Sequence, residues 1–141
     1  MRLCLFVLLL LSATPLLVAC GERSADDEIT KVTKQFAADA EDKDWKSVCD
    51  AMSADAEAEV VAVAETLGGG DCAAVIARLY ALDDHPEMLP TSGGEGVTVS
   101  DVKVSGDRAT AKVEPAFPGD NPRVHYVREN GAWKLDADLG G

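Results

Sequence analysis

The hydrophobic period of this chain changes once, between residues 82 and 97, and that change restricts the fold more than any other feature. Up to Leu82 the apolar residues recur at helical spacing; from Val97 onward they alternate. Ile29, Val32, Phe36 and Ala40 share one face of a first helix, leaving Glu28, Lys31, Lys34 and Asp39 to solvent. Asp44 is placed to cap a short second helix with Trp45, Val48, Cys49 and Met52 on its stripe. Ser53 opens a third, Ala-rich helix whose expected buried face is Val60, Val63, Ala64 and Leu67; Gly68-Gly69-Gly70 stops it. Asp71 caps a fourth, with Cys72, Val75, Ile76, Leu79 and Leu82 facing inward. Residues 83–96 carry two prolines and three glycines and read as a connection.

Beyond it Val97 and Val99 alternate, then Val102 and Val104 alternate one residue out of phase, which predicts a bulge near Ser100-Asp101. Ser105-Gly106-Asp107 turns the chain into Ala109, Ala111 and Val113, and Pro115 to Pro122 is a loop carrying Phe117. Asn130-Gly131 between two alternating runs is a strong hairpin signal. A two-residue turn there pairs Glu129 with Ala132, Arg128 with Trp133 and Tyr126 with Leu135. Val124, Tyr126, Trp133 and Leu135 then share one face, and His125, Val127, Lys134 and Asp136 the other. The expected class is α+β, N-terminal helices packed on a C-terminal antiparallel sheet.

The ending Val-His-Tyr-Val-Arg-Glu-Asn-Gly-Ala-Trp-Lys-Leu-Asp, with this order of elements, resembles the final hairpin of NTF2-like domains of the cystatin-like superfamily. Small exported lipoproteins of that kind often carry a Trp in the early helices, as Trp45 does here, and a cysteine pair. The resemblance spans roughly Asp26 to Asp138 and implies an NTF2-like cone. The chain departs from the pattern in having no clear strand between its helices.

The N-terminus places the domain. Arg2 precedes an apolar run from Leu3 to Leu11, shorter than the ~20 residues of a transmembrane helix and suited to the h-region of a signal peptide. Directly behind it, Leu17-Val18-Ala19-Cys20 resembles the lipobox of bacterial lipoproteins. That resemblance implies a signal peptide over residues 1–19, diacylglyceryl and palmitate-type acyl chains on Cys20, a tether over 20–27 and the domain over 28–141. It implies attachment to the cell membrane on its outer, extracytoplasmic face. Two acyl chains hold a protein durably where one holds only marginally.

Charge agrees with such an anchor. Thirteen Lys and Arg against twenty-five Asp and Glu give −12, which repels nucleic-acid backbones and anionic head groups alike. With Cys4 in the signal and Cys20 lipidated, Cys49 and Cys72 remain, and in an exported domain such a pair favours a structural disulfide.

Candidate chemistry is sparse. Asp83-Asp84-His85-Pro86-Glu87 is the one dense group of possible metal ligands, and it reads as a solvated helix exit, so no metal is expected. Gly68–Gly70 lacks the Lys-Ser/Thr of a phosphate loop, and no cofactor motif is present. Strand parity puts His125 on the outer face, and Asp101 reaches the inner face only if the bulge turns it there. Phe36, Trp45, Tyr80, Tyr126 and Trp133 are the candidates to line an apolar pocket, although an aromatic stripe is more often plain core. The expected function is a non-enzymatic, membrane-anchored lipoprotein that binds a protein partner or a small apolar ligand. The alternative is an enzyme of the ketosteroid-isomerase or SnoaL type, which the resemblance implies would place an Asp or His inside the sheet.

Overall fold

The computed structural model describes residues 24–82, 93–115 and 123–136. Four helices precede a four-stranded antiparallel sheet, an α+β arrangement. They are α1 (Ala25–Glu41), α2 (Trp45–Asp50), α3 (Ala54–Ala64, extended by a 3-10 turn over Glu65–Leu67) and α4 (Cys72–Leu82). A second 3-10 turn, Gly94–Gly96, leads into β1 (Thr98–Ser105), β2 (Arg108–Glu114), β3 (Arg123–Glu129) and β4 (Ala132–Asp136), a meander in the order β1-β2-β3-β4.

Each helix starts where a side-chain oxygen satisfies a free backbone N–H. Ser24, Asp44, Ser53 and Asp71 accept from the amides of Asp27, Ser47, Ala56 and Ala74 respectively. Because α1 already begins at Ala25, residues 25–27 of the expected tether are helical. The 3-10 turn after α3 stops at Gly68, whose φ of 92° is left-handed and costs glycine nothing.

Sheet register follows the alternation. Glu129 faces Ala132, Arg128 faces Trp133 and Tyr126 faces Leu135 across the Asn130-Gly131 turn. Register slips between Ser100 and Lys103 in β1, where Asp101 takes φ 50°, so the bulge stands where the phase change placed it. Ala109, Ala111 and Val113 of β2, Tyr126 of β3 and Trp133 and Leu135 of β4 are buried on one face, against Ile29, Phe36, Ala40, Val48, Cys49, Cys72 and Ile76 of the helices.

Three helical faces differ from expectation. In α1, Thr33 is fully buried while Val32 is only half-buried, because α1 meets the sheet along Ile29, Thr33, Phe36, Ala37 and Ala40. In α3 the inward line is Ala56, Val60 and Ala64; Val63 points outward at 43% exposure, and the side chain of Leu67 lies outside the described residues. This helix packs on α4 and β4 through small residues, so its valines are not all drawn inward. In α4, Leu82 is 74% exposed, past the point where α2 covers the helix.

The two sheet edges are treated differently. The chain between α2 and α3 runs beside β4: the Leu135 amide donates to the Ala51 carbonyl at 2.9 Å and the Ser53 amide to the Leu135 carbonyl at 2.7 Å. Met52 thus forms a parallel bridge with Leu135. This single bridge is the strand-like element between helices among the described residues. At the other edge, the bulge and the charged Asp101 and Lys103 interrupt β1, which discourages further strand pairing.

Candidate functional site

The aromatic residues singled out in the sequence form two groups rather than one pocket. Phe36, Tyr126 and Trp133 belong to the core between α1 and the sheet, at 5%, 1% and 5% exposure. Trp45 and Tyr80 lie elsewhere, half-buried where α2 meets α4, with ring centroids 5.0 Å apart and Lys43 Nζ 5.6 Å from the Tyr80 centroid. Trp45 is the first residue of α2 and turns toward α4 because the Cys49–Cys72 disulfide ties these two helices together, with Cα atoms 6.2 Å apart. Both sulfur-bearing residues are buried.

The inner sheet face is closed by polar contacts that parity alone does not reveal. Thr33 donates its hydroxyl to the Ile29 carbonyl at 2.7 Å, so the Tyr126 phenol, also 2.7 Å away, donates to Thr33 Oγ1. Burial pushes the Tyr126 phenol up to about 12, the Thr33 hydrogen bond offsetting only part of that shift. A buried threonine on a helix stripe leaves one signal in sequence, its i+4 position after Ile29 and three before Phe36.

Near the hairpin tip Arg128 lies over the Trp133 ring, 5.0 Å from its centroid, and its guanidinium donates to Glu28 of α1 at 3.0 Å. The indole N–H of Trp133 is buried with no acceptor among the described residues. At the opposite end of β4, Ser53 donates to Asp136 at 3.0 Å and Arg108 meets the same carboxylate at 3.2 Å. The Glu129 carboxylate accepts from the Ala54 amide, adding negative charge at the start of α3.

The two titratable candidates are not inside the sheet. Asp101 is exposed and bound by Arg123 at 2.5 Å and Lys103 at 3.6 Å. The hydrogen bond from Arg123 outweighs desolvation and holds its carboxyl below the ordinary value. His125 is half-buried, on the register of Thr110 and Asp136, away from the Tyr126 and Trp133 face.

A shallow cleft of about 640 Å³ opens on the outer side of α1, between Lys31, Lys34, Gln35 and Glu41 and the Gly93–Gly96 turn. None of the five aromatic candidates lines it. Gly94 is required there by close approach, since a Cβ would stand 2.3 Å from the Lys34 carbonyl oxygen. Among the described residues no group of His, Cys, Asp and Glu is placed to hold a metal ion, and no helix is long and apolar enough to cross a membrane. Cys20, the Asp83–Glu87 group and Phe117 lie outside the described residues.

No protein-family model matches the chain, and comparison with curated proteins finds no match.

Proposed function

We propose that this chain is an exported bacterial lipoprotein, anchored through Cys20 on the outer face of the cell membrane, whose NTF2-like domain binds a protein partner and performs no catalysis. One observation supports binding over turnover. Where the enzymes that the hairpin resembles carry an Asp or His in a pocket, this sheet face carries Phe36, Tyr126 and Trp133 packed against α1. A base with a raised pKa needs a dry site of its own, and here the protein's own rings take that space. The same filling disfavours a small apolar ligand between sheet and helices and leaves the outer surface for recognition.

The anchor is supported by the sequence of the first twenty residues and by an acidic surface that would not hold a membrane unaided. From Cys20 to the first residue of α1 the chain spans at most ~18 Å fully extended, so the domain would stay close to the bilayer.

The experiment compares wild type with Cys20→Ser in cells fed a clickable fatty acid. Label and membrane recovery should both be lost in the variant. In parallel, crosslinking on intact cells should give a discrete adduct with the wild type. Equal labelling of both proteins would dismiss the anchor, and a purified chain that turns over a substrate would dismiss the binding module.

A further inference from the structure

The outer face of α3 is the least expected surface of this molecule. Ala54, Ala58, Val61 and Ala62 recur at i, i+4, i+7 and i+8 on the side facing away from Ala56 and Ala64, and all four are exposed. Val61 is 37% exposed, and Val63 borders the stripe at 43%. An exposed helix face is ordinarily polar, and an apolar stripe at this spacing is the kind that another helix covers. Its small side chains let a second helix approach closely.

Charge selects the occupant. Glu57 flanks the stripe on one side, and Asp55 and Glu59 flank it on the other. Between Lys46 and Arg78 the chain has six carboxylates, Asp50, Asp55, Glu57, Glu59, Glu65 and Asp71, and no Lys, Arg or His. A second copy would set these carboxylates against themselves, and an anionic bilayer would repel them. A helix with an apolar seam bordered by Lys or Arg satisfies both the stripe and its flanks, as charged flanks do in paired helices.

We infer that the outer face of α3 is a docking surface for a cationic amphipathic helix of a partner protein. This rests on the binding-module reading and gives that partner its chemistry. The proposal concerns the face alone, so it is separable from the anchor tested above.

The test titrates the purified full chain into a fluorescein-labelled 18-residue helical peptide with leucines along its seam and lysines on both flanks, followed by anisotropy. Two further peptides serve as comparison, one of the same composition with the period scrambled and one with glutamate in place of lysine. The patterned lysine peptide should bind at least ten-fold more tightly than either. Ala58→Arg and, separately, Ala62→Arg should weaken it at least ten-fold while the far-ultraviolet circular dichroism stays unchanged, and Glu57→Gln with Glu59→Gln should weaken it several-fold. Scrambled and patterned peptides binding alike would overturn the proposal, as would binding that both arginine variants leave intact. Sedimentation that shows self-association abolished by Ala58→Arg would assign the face to a second copy instead. Vesicles of phosphatidylglycerol that capture wild type but not that variant would assign it to lipid. Either result overturns the proposal, and loss of fatty-acid labelling in Cys20→Ser has no bearing on it.

Discussion

The Thr33 hydroxyl and the Tyr126 phenol stand 2.7 Å apart and join α1 to β3 across 93 residues of chain. Both groups are buried, so each has no water to fall back on if the other is removed. Thr33 spends its own proton on the Ile29 carbonyl, and the phenol therefore supplies the proton for the contact.

That asymmetry predicts the order of two substitutions. Tyr126→Phe leaves Thr33 still donating to Ile29 and should cost about 1 kcal/mol. Thr33→Val leaves a buried phenol unpaired and should cost about 1–3 kcal/mol. Urea unfolding of both single variants and the double variant would check this; additive losses would show that the bond contributes no coupling.

The same phenol predicts alkaline instability. Its pKa is raised from 10.0 to about 12 in the folded protein, so the folded state keeps a proton that the unfolded state gives up. The associated stability is fully present below pH 10 and is lost as the pH rises through the folded value, on the order of 2 kcal/mol in total. Denaturant titrations between pH 9 and 12 should fall more steeply for wild type than for Tyr126→Phe.

Reduction should weaken the helical layer. Cys49 and Cys72 are 23 residues apart, and the loop they close contributes ~3 kcal/mol in the chain-entropy description. Unfolding with and without dithiothreitol should differ by about that amount in wild type and not at all in Cys49→Ala with Cys72→Ala. A free thiol titre of zero in the exported protein accompanies this expectation.

Arg128 holds the first turn of α1 to the hairpin by two means, the ion pair with Glu28 and the stacking on Trp133. The pair is more than a third exposed on the Arg128 side, so Glu28→Gln should cost under about 0.5 kcal/mol. Arg128→Ala also uncovers the indole and should cost about 1 kcal/mol, with a red shift in tryptophan emission. Thermal melts of the two variants would separate charge from cover.

Local features were legible because local physics decides them. The four caps, the bulge at Asp101, the turn at Asn130-Gly131 and the register of β3 with β4 each depend on residues within a few positions of one another. Parity then followed, and with it the inward face of Tyr126 and Trp133 and the outward face of His125.

What the sequence determined by itself was therefore the class, the order of elements and which residues of each strand face the helices. Only the tertiary structure decided how the helices were rotated about their axes. Alanines were drawn inward in α3 while Val61 and Val63 were left outside, and Thr33 was buried rather than Val32. A helix stripe in sequence is about 100° wide and tolerates rotation within it; the choice belongs to the neighbour it meets. For α1 that neighbour is a phenol with a proton to place, and for α3 it is the close surface of α4 and β4, where small side chains fit. The aromatic set divided for the same reason: strand parity holds Tyr126 and Trp133 under α1, whereas the partner of Trp45 was set by a crosslink between helices whose packing no local pattern encodes.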